Sequence, residues 1–294
     1  MQPLLLAAVL LLLADPPQGG IEWNSTDSAD VAIVRLDSAP FPHRSRESGY
    51  TNSKGEFFPA DPHYIDNSVG IVIPRGYRPG PQIDFVVHFH GHRNNVANVL
   101  SQFDLPVQLA RSGRNAILVI PQGARDAPDE AAGKIEDENG LARLLQDVAQ
   151  LLKREGRTES AAIGKVVLTA HSGGYLSAAC SIARGGLRDH ICDVLLFDAT
   201  YGGLDDFADF AAAKQHRLLS IFTSHLADRN FILLTKLRER NADVDVLLGP
   251  DLTEDRLQPR RAILIHTRDL GHNDVVSKRD YFSLFLKTSA LDAR

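Results

Sequence analysis

Residues 86 to 92 read VVHFHGH, an apolar run in which His88, His90 and His92 recur at every second position. On a strand that spacing turns all three imidazoles toward one face, where they could hold zinc for metal-assisted hydrolysis. Two features oppose that reading. A strand covered on both faces leaves no open coordination position, and no Asp or Glu follows in HFHGHRNN until Asp104. The histidines read better as the end of a buried strand beside chemistry that lies elsewhere.

A second stretch offers that chemistry. Residues 165 to 178, KVVLTAHSGGYLSA, run from a buried strand through Ala170-His171-Ser172-Gly173-Gly174 into a helix. A serine on so tight a turn needs small residues two before and two after it, which Ala170 and Gly174 supply. The turn lifts the hydroxyl above the carboxyl ends of the strands, where open α/β sheets bind ligands. It also aims the Gly173 N–H, at the helix start, toward a developing oxyanion. A plain serine N-cap is the ordinary alternative.

Here the sequence resembles the α/β-hydrolase superfamily, whose nucleophile elbow is usually G-x-S-x-G; Ala170 stands where the first Gly is usual. The resemblance implies a Ser-acid-His order, each later member just past a strand end. His272, in RDLGHNDVV, holds the place of the general base, and His266, inside a strand, is its rival. Asp198 abuts the strand DVLLFD and is the preferred acid. Asp228, a few residues past the next strand, where most members carry theirs, is the alternative. It reads equally well as an acid at a helix N-terminus. The resemblance also likens HFHGHRNN to the His-Gly signature of lipases and esterases. It then implies that Gly91 lets the backbone approach, that the N–H of His92 or Arg93 joins Gly173 in an oxyanion hole, and that Asn94, with Gly91 and His171, borders the substrate. Asn95 and Asn94 are also ordinary helix caps.

These residues must be positioned by elements. Strands are expected at 31–36, 70–74, 83–90, 115–120, 165–170, 192–198, 217–223 and 261–266, and helices at 97–111, 139–154, 174–184, 204–214, 229–240 and 278–288. That alternation predicts an α/β fold: a mostly parallel, twisted sheet of about eight strands with helices on both faces, the first two strands antiparallel at one edge. Runs such as ILVI lack polar alternation because both faces are covered. Two long loops, 121–138 and 249–260, are candidates for functional or mobile segments.

With 44% apolar and 23% charged residues, a chain of 294 residues can bury a large core. A net charge of −5 without a basic cluster makes nucleic acid a poor partner. The apolar run Leu4 to Ala14 is too short to span a bilayer and suits a signal-peptide core, though no Lys or Arg precedes it. Residues 1–20 thus read as a signal peptide with a short linker and 21–294 as one catalytic domain. That implies a secreted or periplasmic protein, or a cytoplasmic one if the run is not a signal. Cys180 and Cys192 could pair or remain buried thiols.

Together these features predict a serine hydrolase that cleaves an ester, or an amide, through an acyl-enzyme and requires no cofactor. Its expected substrate is a small-molecule, carbohydrate or peptide ester. The alternatives are a serine peptidase, amidase or acyltransferase on the same fold, a zinc hydrolase using His88, His90 and His92, and a non-catalytic binding protein.

Overall fold

The computed structural model describes residues 21–249, 252–257 and 261–294. The expected signal segment 1–20 and part of the loop 249–260 lie outside the described residues. Among the described residues ten strands form one sheet, two more than the sequence patterns suggested. In spatial order these are β1 (Asn24–Ser25), β2 (Ala29–Arg35), β5 (Ser68–Pro74), β7 (Ile117–Pro121), β6 (Ile83–Phe89), β8 (Ile163–His171), β9 (Ile191–Phe197), β10 (Arg217–Phe222), β12 (Ala262–His266) and β11 (Val244–Leu248). A separate hairpin pairs β3 (Tyr50–Thr51) with β4 (Phe57–Phe58). From β7 to β11 every pairing is parallel, and β1, β2 and β5 add an antiparallel edge. The additional strands are edge strands. β1 has only two residues, and β11 carries exposed Val246 and Leu248, so neither shows the continuous apolar run of a covered strand.

Alternate residues of the central strands feed two cores. Phe85, Val87, Leu168 and Leu196 face one side, where α4 (Gly140–Arg154), α5 (Tyr175–Arg184), α6 (Leu204–Ala212) and α7 (Ala227–Glu239) pack. Val86, Val167 and Leu195 face the other, under α2 (Val96–Gln102), α3 (Leu105–Ser112), α8 (Asp274–Ser277) and α9 (Tyr281–Lys287). α4 shows why: Leu141, Leu144, Leu145, Val148, Ala149 and Leu152 recur at helical spacing and are all buried. The stretch 97–111, expected as one helix, is two. Asp104 adopts a left-handed conformation and Pro106 lies in the first turn of α3, so the chain re-starts there. The two cysteines belong to opposite faces, Cys180 in the first core and Cys192 against the second, and both are free thiols.

The loop 121–138 is held down. Ala124, Ala127 and Ala131 pack with Phe41, Phe58 and Tyr64, the last of these just past the short turn α1 (Ala60–His63), and buried Asp129 takes a bidentate pair of hydrogen bonds from Arg46 at 2.6 and 3.0 Å. No helix among the described residues is long and apolar enough to cross a membrane.

Candidate active site

β6 and β8 are parallel neighbours, yet β6 leads on to β7 at one side of the sheet while β8 leads on to β9 at the other. Such a reversal opens a crevice at the carboxyl ends of the strands. The residues expected to do chemistry meet there.

Ser172 follows the last residue of β8 and has φ of +52°, a conformation that costs a non-glycine residue on the order of 1 kcal/mol or more. It begins a single 3-10 turn that continues into α5. The turn is tight because β6 lies against it: a Cβ on Gly174 would stand 2.2 Å from Phe89 O. A Cβ on Gly91 would stand 2.6 Å from Ser172 Cβ and 3.2 Å from its Oγ, so the loop after β6 passes the serine as bare backbone.

His272, on the loop between β12 and α8, places Nδ1 2.8 Å from Asp198 Oδ2. An ionised carboxylate only accepts, so Nδ1 carries the proton and Nε2 is the basic nitrogen. Asp198 is fully buried directly after β9 and also accepts the N–H and O–H of Thr223, each at 2.9 Å. Burial pushes its carboxyl upward, but the hydrogen bonds from His272 and Thr223 prevail and hold it below the ordinary carboxylate value. Asp228 lies in the first turn of α7, with no ion pair to His272 among the described residues. His266 stacks on Phe222 with ring centroids 5.2 Å apart, and its Nε2 meets Ser224 Oγ at 3.2 Å.

Three expected substrate or oxyanion contacts are otherwise engaged. His171 is buried and donates from Nε2 to His272 O at 3.0 Å, with the two rings 4.7 Å apart. Burial, then the neighbouring His272, lower its pKa to about 4. The Arg93 N–H donates to Ala127 O at 2.9 Å and is not available to an oxyanion. Asn94 is buried and ties its own loop, through Nδ2 to Gln102 and through its carbonyl to the Asp126 N–H. Asn95 caps α2 by accepting from the Asn98 N–H.

The period-two histidines separate because β6 ends at Phe89. His88 is buried with Nδ1 on Thr169 Oγ1 at 2.8 Å, and burial lowers its pKa well below the usual histidine value. His90 Nε2 accepts the Gly123 N–H at 2.9 Å, so its proton sits on Nδ1, which donates to Gly91 O at 2.8 Å. His92 is partly exposed, lies against Gly173, and pairs through Nε2 with Glu130 at 3.2 Å. The three rings do not converge on one point.

Sequence reasoning passed over Thr223, His225 and Tyr201. His225 Nδ1 lies 2.6 Å from Thr223 Oγ1 and 3.5 Å from Asp198 Oδ2, and its Nε2 lies 2.8 Å from the Tyr201 hydroxyl. The Tyr201 ring also lies beside that of Tyr175, with centroids 6.1 Å apart. A signal was available: β10 pairs in parallel with β9, so the segment after β10 had to emerge beside Asp198. One donor atom each from Asp198, His225 and His272 lie within 4.8 Å of one another, near enough to share a cation.

No family model and no curated relative matches the chain. Solved structures do. A mutant of the feruloyl esterase module from Clostridium thermocellum, complexed with sinapinate, superposes with a TM-score of 0.53 at 13% identity, covering 94% of this chain and 96% of that one. A ferulic acid esterase gives 0.51 at 14% identity over 75% and 91%. The chain has the α/β-hydrolase fold. In most proteins of this fold the acid follows the strand equivalent to β10. Here that segment supplies Thr223 and His225, and the carboxylate paired with His272 comes from the end of β9.

Proposed function

We propose that the protein is a serine hydrolase that cleaves carboxylic esters through an acyl-enzyme. The observation that carries this reading is the 2.8 Å Asp198–His272 pair, tied by His171 to the strained turn that bears Ser172. Ser172 Oγ attacks the ester carbonyl, His272 Nε2 takes its proton and returns it to the departing alcohol, and Asp198 keeps the imidazole in the required tautomer.

The oxyanion falls to two amides. The Gly173 N–H belongs to the first helical turn, whose donors lack intrahelical acceptors. The His92 N–H points opposite to Gly91 O across a trans peptide, and that carbonyl is held back by His90. Donors of this kind contribute roughly 3 to 4 kcal/mol each to transition-state stabilisation.

Because two structural neighbours are named esterases, short-chain p-nitrophenyl esters and their matching anilides are the substrates of choice for a test. The protein is expected to hydrolyse the esters, to be labelled by a fluorophosphonate, and to lose both properties in Ser172→Ala, with turnover falling by roughly 10^4-fold or more. Dialysis against a chelator is expected to leave turnover intact. Loss on chelation with recovery on added zinc would make Asp198, His225 and His272 metal ligands and overturn the serine mechanism.

A further inference from the structure

Asp198, His225 and His272 follow three adjacent parallel strands, β9, β10 and β12, and meet at the carboxyl edge of the sheet. Asp198 Oδ2 is their common point. It lies 2.8 Å from His272 Nδ1 and 3.5 Å from His225 Nδ1, and one donor atom from each of the three residues falls within 4.8 Å of the others. Tetrahedral zinc, bound by nitrogen and oxygen at about 2.0 to 2.2 Å, sets its ligands roughly 3.3 to 3.5 Å apart, so small rotations of the two rings suffice to seat it. Among the described residues the ion pairs of Asp198 are with these two histidines alone, and no fixed cation competes for the carboxylate. The acid is fully buried, whereas the side chains of His225 and His272 are 48% and 37% exposed, which opens the imidazole side of the cluster to an ion from solvent.

The groups around the cluster suit a metal as well. Thr223 donates its N–H to Oδ1 and its O–H to Oδ2 of Asp198, each at 2.9 Å, and so orients the carboxylate from behind. The Tyr201 hydroxyl lies 2.8 Å from His225 Nε2. A neutral imidazole that gives Nδ1 to a metal carries its proton on Nε2. For His225 that N–H meets the Tyr201 oxygen, the outer hydrogen bond that metal-binding histidines usually make. We propose that Asp198, His225 and His272 form an inhibitory site for zinc. Coordination replaces the 2.8 Å His272–Asp198 bond and the 2.6 Å bond between His225 and Thr223. In His272 the single ring proton moves from Nδ1 to Nε2, which then has no lone pair to take the Ser172 proton. Neither ring gains or loses a proton, and the fourth coordination position is left to water.

The site itself stands on geometry; that it inhibits rests on the acyl-enzyme reading. With zinc chloride as the probe, hydrolysis of p-nitrophenyl butyrate and fluorophosphonate labelling are expected to fall together in the parent and to return on addition of EDTA. Magnesium, a hard ion that favours oxygen ligands, is expected to change neither. Titration calorimetry should give a zinc Kd that matches the inhibition constant. His225→Phe removes a ligand but keeps a ring, and is expected to weaken that Kd by about 100-fold or more. Tyr201→Phe keeps all the ligands and removes only the outer acceptor, so about tenfold is expected. Inhibition is read as a ratio within each variant and binding by calorimetry, so neither depends on basal turnover. If His225→Phe does not fold, Tyr201→Phe carries the comparison.

Unchanged turnover of the parent up to millimolar zinc, or a zinc Kd that is the same in the parent and both variants, would overturn the proposal while leaving the acyl-enzyme intact. Zinc that binds there and stimulates turnover would overturn the inhibitory role. If the parent, free of zinc, neither hydrolyses the ester nor takes up the fluorophosphonate, the serine reading fails instead, and calorimetry on the parent and the variants decides the zinc site by itself.

Discussion

Asp198 remains an acceptor because three donors converge on a carboxylate with no access to water. With its folded pKa held below the ordinary aspartate value of 3.8, the stability it lends is present above about pH 4 and is lost as pH falls through the lowered value. His171 acts at higher pH and through the opposite protonation state. It binds a proton near 6.5 in the unfolded chain but only near 4 when buried. Between those values the unfolded state binds more protons, so stability falls as pH is lowered, by roughly 2 kcal/mol between pH 7.5 and 5. Burial lowers His88 and His90 too, and their effect has the same sign. Urea unfolding of His171→Gln, whose amide can still donate to His272 O, is therefore expected to lose about 2 kcal/mol less than the parent between pH 7.5 and 5. An equal loss in both proteins would place the titration elsewhere. The buried ring also marks where sequence reasoning was limited. That His171 precedes the serine is plain in AHSGG, but its bond to His272 spans 101 residues, and local pattern carries no trace of it.

At the scale of elements, the site depends on how closely the loop after β6 approaches the turn after β8. Gly91→Ala would force its Cβ against Ser172 Cβ, and Gly174→Ala would drive a methyl into the carbonyl of Phe89, part of the sheet itself. The two variants are expected to fail differently. Gly174→Ala should destabilise the fold by roughly 1 to 3 kcal/mol, the usual cost of overpacking. Gly91→Ala should lower kcat/KM for esters by roughly 10^2-fold or more, because the displaced loop carries the His92 amide, while its thermal midpoint stays near that of the parent. Comparable loss of turnover at matched stability in both variants would show that the loop after β6 has no special place. Much of this level was legible in sequence. IDFVVHFH, KVVLTA and DVLLFD are long apolar runs whose ends fix where loops must emerge, and the small residues around Ser172 state how tight one loop is. The histidine spacing of VVHFHGH misled because period two holds only while the strand lasts, and β6 ends at Phe89. Strand β11 went unseen because VDVLL is short and half exposed, as an edge permits.

For the molecule as a whole, the wall behind the acid is held by a charge at the start of a strand. Arg217 is fully buried, and it stands opposite Asp193 in the β9–β10 register. Its Nε and Nη2 reach the two oxygens of Asp193 at 3.1 and 3.0 Å, and its remaining donors serve Phe285 O and both Thr288 oxygens at 2.9 Å. One side chain thus joins the strand that carries Asp198, the strand that leads to Thr223, and the C-terminal helix α9. Removing only the cation would strand a carboxylate in the core, so Arg217→Met is expected to cost about 3 to 5 kcal/mol, with a correspondingly lower midpoint in urea. The pair as a whole need not be stabilising, because desolvating two charges offsets much of their attraction. Replacing both, as Arg217→Met with Asp193→Leu, is therefore expected to recover most of that loss. The carbonyls of Phe285 and Thr288 would still lack their donor, so recovery should stop short of the parent value. If the double variant proves as unstable as the single one, Arg217 acts mainly through α9; full recovery would make the pairing with Asp193 its whole contribution.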